Sequence, residues 1–513
     1  VRFNSPVARH QTSTYEQGDV AFHLDDAEES LAAECEVGMA TAAAMFPVTP
    51  EQPAKVSLDI PLVKADSESG DIEIAATEEW SSAMKSACRI EIPDTLQKEL
   101  FDIALRTLIL HSPGDVFPGP FTYRRFWFRD AAFILNAMLA AGLTDRAANV
   151  LNQFPERQSA TGYFHSQEGE WDSNGQALWI MHRFLQLTGQ EIPRQWASAI
   201  HKGAKWICRK RLSGESGKPH AGLLPAGFSA EHLGPNDYYF WDDFWGVAGL
   251  QCAAELAEKQ GDTDSAREFK SEADSFRKAI DHSLKGVAER LGRRAMPSSP
   301  YRRLDSSAIG SITAGYPLAM LDPWDARLAD TIEYLLENCM VQGGFFQDMI
   351  HSGINAYLTL HIAQVLLRAG DERFRPLTQA VARLASPTGQ WPEAIHARTH
   401  GGCMGDGQHV WAAAEWVMMM RNLFVFEEAN ALILGAGIDP DWLHEDTPLF
   451  LGPTPTRWGP VSVEIQTRDD QVILRWDAQW RKKPPKIRVR LPGYPPRPME
   501  AGSREIRFTR RGK

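Results

Sequence analysis

Between residues 93 and 435 apolar side chains recur at helical spacing, in runs parted by Gly, Pro and Asp loops. The spacing predicts twelve helices, near 94–111, 129–142, 144–154, 173–189, 195–211, 241–260, 264–284, 305–319, 325–339, 354–369, 374–385 and 408–427. They differ in polarity. Residues 131–141 are apolar nearly all round, which predicts a helix buried on every side, whereas 264–284 carries many charges and one apolar face, so that helix touches solvent. Buried and amphipathic helices in alternation predict two concentric layers, an (α/α)6 barrel of six hairpins. An α-solenoid would need matching residues at a fixed period, and none is visible. Ahead of this region 20–24, 54–60 and 71–75 read as strands between turn residues. Behind it 461–465, 471–476 and 486–491 do the same. The expected fold is mainly α, in three domains: a β-sandwich-like domain at 1–90, the barrel at 91–436 and a small β domain at 455–513.

Composition narrows the partners. With 54 basic against 66 acidic residues the formal net charge is -12, which argues against a nucleic-acid partner and fits a neutral ligand. The six cysteines form no CxxC pair or metal-ligand spacing, which suits a reduced compartment. No apolar run reaches the roughly 18 residues of a membrane helix, and no signal-peptide pattern is visible. A cytoplasmic setting without a membrane partner is therefore expected. HExxH, GxSxG, Walker and dinucleotide patterns are absent, so neither a catalytic metal nor a cofactor is expected.

The chemistry-bearing residues cluster at loop-to-helix junctions. In Trp241-Asp242-Asp243-Phe244-Trp245 the aromatic rings and the second charge both favour a protonated carboxyl, as a general acid requires. Either Asp also suits an N-cap, and the pattern leaves open which one donates a proton. In Gly389-Gln390-Trp391-Pro392-Glu393 the proline stiffens the turn and fixes Glu393, placed to draw a proton from water. Glu415, inside the following helix, reads as a buried structural acid. Tyr123-Arg124-Arg125-Phe126-Trp127-Phe128-Arg129-Asp130 offers donors and acceptors to vicinal hydroxyls, or a local ion pair capping a helix. Trp171-Asp172-Ser173 is a fourth such junction, equally readable as a cap. Two carboxyls in unlike environments beside aromatic rings are what cleavage of a glycosidic bond needs.

Taken together these residues resemble the glucoamylase family and its trehalase-like relatives, over roughly residues 95 to 430. The Tyr123…Trp127-x-Arg129-Asp130 segment is similar to the one with which that family binds the terminal sugar. Trp241-Asp242-Asp243 resembles its Trp-Glu-Glu, in which the first acid is the proton donor and the second binds sugar. Glu393 falls where the family carries its base, and Trp411 matches the aromatic of the helix that follows. Asp in place of Glu at the acid departs from the glucoamylase pattern, although trehalase-like relatives use Asp there.

The expected activity is an inverting exo-glycoside hydrolase acting on α-glucosidic or similar bonds of an oligosaccharide or glycoside. Asp242 is the expected acid and Glu393 the base. Tyr123, Trp127, Arg129, Asp130, Trp171, Asp172, Trp241, Asp243, Trp391 and Trp411 are the expected sugar contacts. The alternatives are a phosphorylase on the same barrel and a non-catalytic oligosaccharide-binding protein.

Overall fold

The computed structural model describes residues 2–3, 6–18, 20–36, 40–49, 51, 55–56, 58–59, 80–228, 234–349, 352–444, 448–468, 471–500 and 502–509. Contacts divide the chain into two compact units, Val1–Glu78 and Glu79–Lys513.

In the first unit Arg2–Phe3 pairs with Leu58–Asp59, and Arg9–Ser13 with Thr41–Met45, both antiparallel. Among the described residues each of these sheets has two strands. Val20–His23, within an expected strand, is instead a 3-10 helix. Its His23 ring bonds the Gln17 carbonyl and the Asp26 carboxylate, which turns the segment back on itself. The strand expected at 71–75 lies outside the described residues.

The second unit holds a short helix α1 (Trp80–Ala83), then α2 (Thr95–Leu110), α3 (Phe128–Ala140), α4 (Thr144–Leu151), α5 (Ser173–Thr188), α6 (Arg194–Lys210), α7 (Phe240–Lys259) and α8 (Thr263–Leu291). A 3-10 helix at Ser306–Ala314 follows, then α9 (Ala326–Asn338), α10 (Ala356–Ala369), α11 (Phe374–Arg383) and α12 (Val410–Phe424). Every run expected to be helical carries a helix. The one at 305–319 is 3-10 rather than α. Ser307 bonds Asp305 and Ser298, and Ser311 bonds the Pro297 carbonyl, which ties this helix to the chain before it.

Six of these elements touch in a closed cycle: α3, α5, α7, the 3-10 helix, α10 and α12, which returns to α3. Every residue of α3, of α12 and of the 3-10 helix is buried. The others lie against this ring, α4 on α3 and α5, α6 on α5 and α7, α8 on α7, α9 on the 3-10 helix, α11 on α10, and α2 on α12 and α3. The polarity difference read along the chain is thus a difference of layer.

The C-terminal strands join this unit. A five-stranded antiparallel sheet runs Glu505–Thr509, Gln471–Ala478, Val461–Arg468, Leu449–Thr454 and Arg89–Glu91, so its last strand precedes α2 in sequence. Lys486–Val489 pairs in parallel with Ala431–Leu434, just beyond α12. This partition differs from the three domains read along the chain. A second five-stranded sheet, spanning Met340–Val341 to Gly402–Met404, includes Ala394–Ile395 and so fixes the chain directly after Glu393.

Candidate active site

The first turns of α3, α5, α7 and α12 bring the predicted junctions to one end of the ring. Helix N-termini carry partial positive charge, which suits the carboxyls gathered there. Arg129 is the hub. Its positive charge also acts on the neighbouring Asp130. Its Nε donates to Asp172 Oδ2 at 3.0 Å and its Nη2 lies 3.0 Å from Glu170 Oε1. Trp241 Nε1 and Gln176 Nε2 each donate to the same Asp172 oxygen at 2.9 Å. Asp172 makes no side-chain cap bond to α5, so its carboxylate is spent on this cluster.

Asp242 and Asp243 both lie in the first turn of α7, each 1% exposed, and neither caps the helix. Asp243 Oδ1 accepts the Leu224 N–H at 2.9 Å, which ties down the loop before α7. Burial pushes its carboxyl up to about 8. Asp242 differs, since neither of its oxygens has a hydrogen-bond partner among the described residues. Burial first, then repulsion by Asp172 and Asp243, holds it well above the usual carboxylate range.

On the other side Glu393 accepts a hydrogen bond from the Tyr123 hydroxyl. Tyr123 is itself held by its loop, where Asp406 accepts the backbone N–H groups of Phe121, Thr122 and Tyr123. Asp130 faces this side. His409 Nε2 is 3.9 Å from its Oδ1, and burial with repulsion from Glu393 raises its carboxyl to about 7. Burial lowers the His409 imidazole, keeping it neutral. Adjacent residues Arg129 and Asp130 therefore connect the Asp242 cluster to the Glu393 cluster.

The tryptophans are less available than expected. Trp241, Trp391 and Trp411 are each 1% exposed and pack inward. Trp411 stacks on Phe133 with centroids 4.2 Å apart and donates to Glu415. Glu415 also takes Tyr316 and His361, as a buried structural acid would. Trp391 donates to the Val381 carbonyl and meets Trp416 in the core. These rings offer a sugar no open face; Trp241 acts through its N–H on Asp172. Trp171 carries Lys210 Nζ at 3.6 Å over its ring and bonds the Ala226 carbonyl. Trp127 is half-buried, with Arg125 stacked 3.5 Å above it and Tyr123 edge-on. Sequence reading missed Glu170, though its place beside Trp171-Asp172 was a visible signal, and Asp406, a loop acid without one.

No protein-family profile matches the chain. Over 172 residues it is 27% identical to a glucoamylase from Clostridium sp. (strain G0005), a match covering 31% of this chain and 22% of that protein. A GH78 family rhamnosidase of Bacillus sp. GL1 superposes with a TM-score of 0.56 at 15% identity, over 80% of this chain and 43% of the other. The chain shares the fold of that rhamnosidase. An α-L-rhamnosidase from Dictyoglumus thermophilum shares it, with a TM-score of 0.51 at 13% identity over 79% of this chain and 45% of that one. This chain thus spans less than half the length of each of these proteins. Among the described residues no group of three His, Cys, Asp or Glu side chains could hold a metal ion, and no helix is long and apolar enough to cross a membrane.

Proposed function

We propose that the unit from Glu79 is an (α/α)6-barrel glycoside hydrolase that inverts configuration at the terminal, α-linked sugar of a glycoside. The observation that carries this reading is Asp242, a buried carboxyl whose surroundings favour its protonated form and whose two oxygens have no hydrogen-bond partner among the described residues. Such a group has a proton to give and a free edge from which to give it.

In the reaction, Asp242 delivers its proton to the glycosidic oxygen as the bond from that oxygen to the anomeric carbon breaks. Glu393 removes a proton from a water on the opposite face of the ring, and that water's oxygen bonds the anomeric carbon. Tyr123 fixes the Glu393 carboxylate through its hydroxyl, and Asp172 fixes Arg129 for the sugar hydroxyls. Supports for the barrel are the closed cycle of six buried elements and the outer helices laid on it.

The test is hydrolysis of a panel of aryl-glycosides and disaccharides followed by anomer-resolved NMR, with and without inorganic phosphate. Asp242→Asn and Glu393→Gln are each expected to lower turnover by about 10²–10⁴ while the thermal transition stays cooperative. Near-normal rates in either variant remove that assignment, retention of configuration removes the single-displacement mechanism, and phosphate-dependent cleavage replaces hydrolysis by phosphorolysis.

A further inference from the structure

A separate cavity of about 310 Å³ lies at the opposite end of the ring of inner elements. Its lining comes from the C-terminal parts of those elements, including Asn136, Arg183, Gln251 and Arg421, and from Glu427 and Arg457 beyond α12. Along α7, Gln251 and Glu255 stand about 14–20 Å from Asp242 at 1.5 Å per residue, so this space is not part of the site above.

Arginines at helix C-termini have an ordinary structural use, and one here has it. Arg368 donates to the Gly315 and Leu321 carbonyls and pairs with Glu428. Glu255 bonds the His182 ring at 3.0 Å and adds a second carboxylate to the lining. The rest of the charge is unequal. Glu427 pairs with Arg183 at 3.2 Å and accepts the Arg457 backbone N–H at 2.7 Å. The Arg421 side chain, in a residue 4% exposed, donates to neutral acceptors: Asn422 Oδ1 at 2.9 Å, Thr454 Oγ1 at 3.3 Å and the Pro455 carbonyl at 3.3 Å. Arg457 lies 4.2 Å over the Trp458 ring, and its Nε is buried without a hydrogen-bond partner. Neither Arg421 nor Arg457 makes a carboxylate ion pair among the described residues. Three guanidinium groups, Arg183, Arg421 and Arg457, thus face two carboxylates, Glu427 and Glu255, beside an open space, and burial disfavours the charge on Arg421 and Arg457.

We propose that this cavity is a binding site for a small oxyanion, a carboxylate or phosphate group received by Arg421 and Arg457. The planar fork of a guanidinium matches both groups, and an added negative charge would balance the surplus at Glu427. The volume is at the small end of ligand pockets, which suits a free anion or one carried on a single sugar. The proposal is independent of the hydrolase reading, because it uses none of the residues assigned to it.

Titration calorimetry of the full chain at fixed ionic strength tests it, with inorganic phosphate and glucuronate as probes and chloride as the reference. Saturable binding of one equivalent is expected, tighter for the probe whose class the site serves. Arg457→Met is expected to weaken it at least tenfold. Gln251→Glu, close in size to the native side chain and so placed to keep the fold, supplies a carboxylate to the lining and is expected to do the same. Asp242→Asn is expected to leave it unchanged. No saturable binding to the native chain overturns the proposal. So does affinity that survives both Arg457→Met and Gln251→Glu, and so does affinity lost in Asp242→Asn, which would locate the anion near Arg129.

Discussion

Asp242 and Asp243 are adjacent and equally buried, yet the loop before α7 gives Asp243 an N–H donor, while among the described residues Asp242 has no hydrogen-bond partner. That difference has a consequence for stability against pH. The Asp243 carboxyl is raised to about 8 in the folded chain, against about 3.9 in an unfolded one. Between those values the folded form holds a proton that the unfolded form has lost. The unfolded chain binds fewer protons, so stability falls as pH rises, by up to about 1.4 kcal/mol per unit. Asp243→Asn keeps an oxygen for the Leu224 N–H and removes the titration. Its melting temperature is expected to match the native one near pH 4 and to exceed it increasingly towards pH 8. A constant offset across this range would show that Asp243 is not raised. At this scale the acids were legible in the sequence because Asp-Asp between aromatic rings is an unusual local pattern. The tryptophans beside them were not, since adjacency in sequence does not say which way a ring points. Trp391 and Trp411 sit next to the site residues in the chain and belong to the core in space.

Helices were the legible elements, because the inner ones are apolar on all faces and the outer ones on a single face, and those patterns span many residues. Short strands lack that redundancy, so the segment at 20–24 was misread and the parallel pairing of Ala431–Leu434 with Lys486–Val489 had no local mark. What the pattern also conceals is the closeness of one helix pair. A Cβ on Gly175 of α5 would lie 2.1 Å from the Trp245 carbonyl oxygen of α7, and one on Gly249 would lie 2.7 Å from the Gly175 Cα. The pair needs glycine for backbone contact, and it sets Asp172 against Trp241. Gly175→Ala is therefore expected to cost about 1–3 kcal/mol or more and to lower turnover as α5 and α7 part. Gly286 in α8 has nothing within 4 Å of its added Cβ and is exposed. Gly286→Ala is expected to gain about 0.5–1 kcal/mol with activity unaltered. Urea midpoints of the two variants, read with their rates, check both; a harmless Gly175→Ala would mean the helices have room that the contact denies.

For the whole molecule, the question is where the chain can be cut. Composition suggested a boundary near 436–455, since helical runs end there and alternating strands begin. Pairing points elsewhere. Leu449–Thr454 bonds Arg89–Glu91, so the sheet begins before α2 and is completed by the last strands of the chain. Its inward residues Leu451, Val463, Ile465, Leu474 and Trp476 are buried in the same core as the helices. Thr454 donates to the Ala140 carbonyl at the end of α3, and Arg481 to the Gln186 and Leu187 carbonyls near the end of α5. The strands thus supply partners for carbonyls that inner helices leave open. A chain ending at 436 would lose these partners and expose that apolar face, and it is expected to unfold without a cooperative transition or to aggregate. A chain starting at Glu79 keeps every one of these contacts and is expected to melt as one cooperative unit. Circular dichroism melts of the two truncations decide between a detachable C-terminal domain and one fused to the helices. A soluble, cooperative 1–436 chain would show that the sheet is an appendage and that the helical ring closes without it.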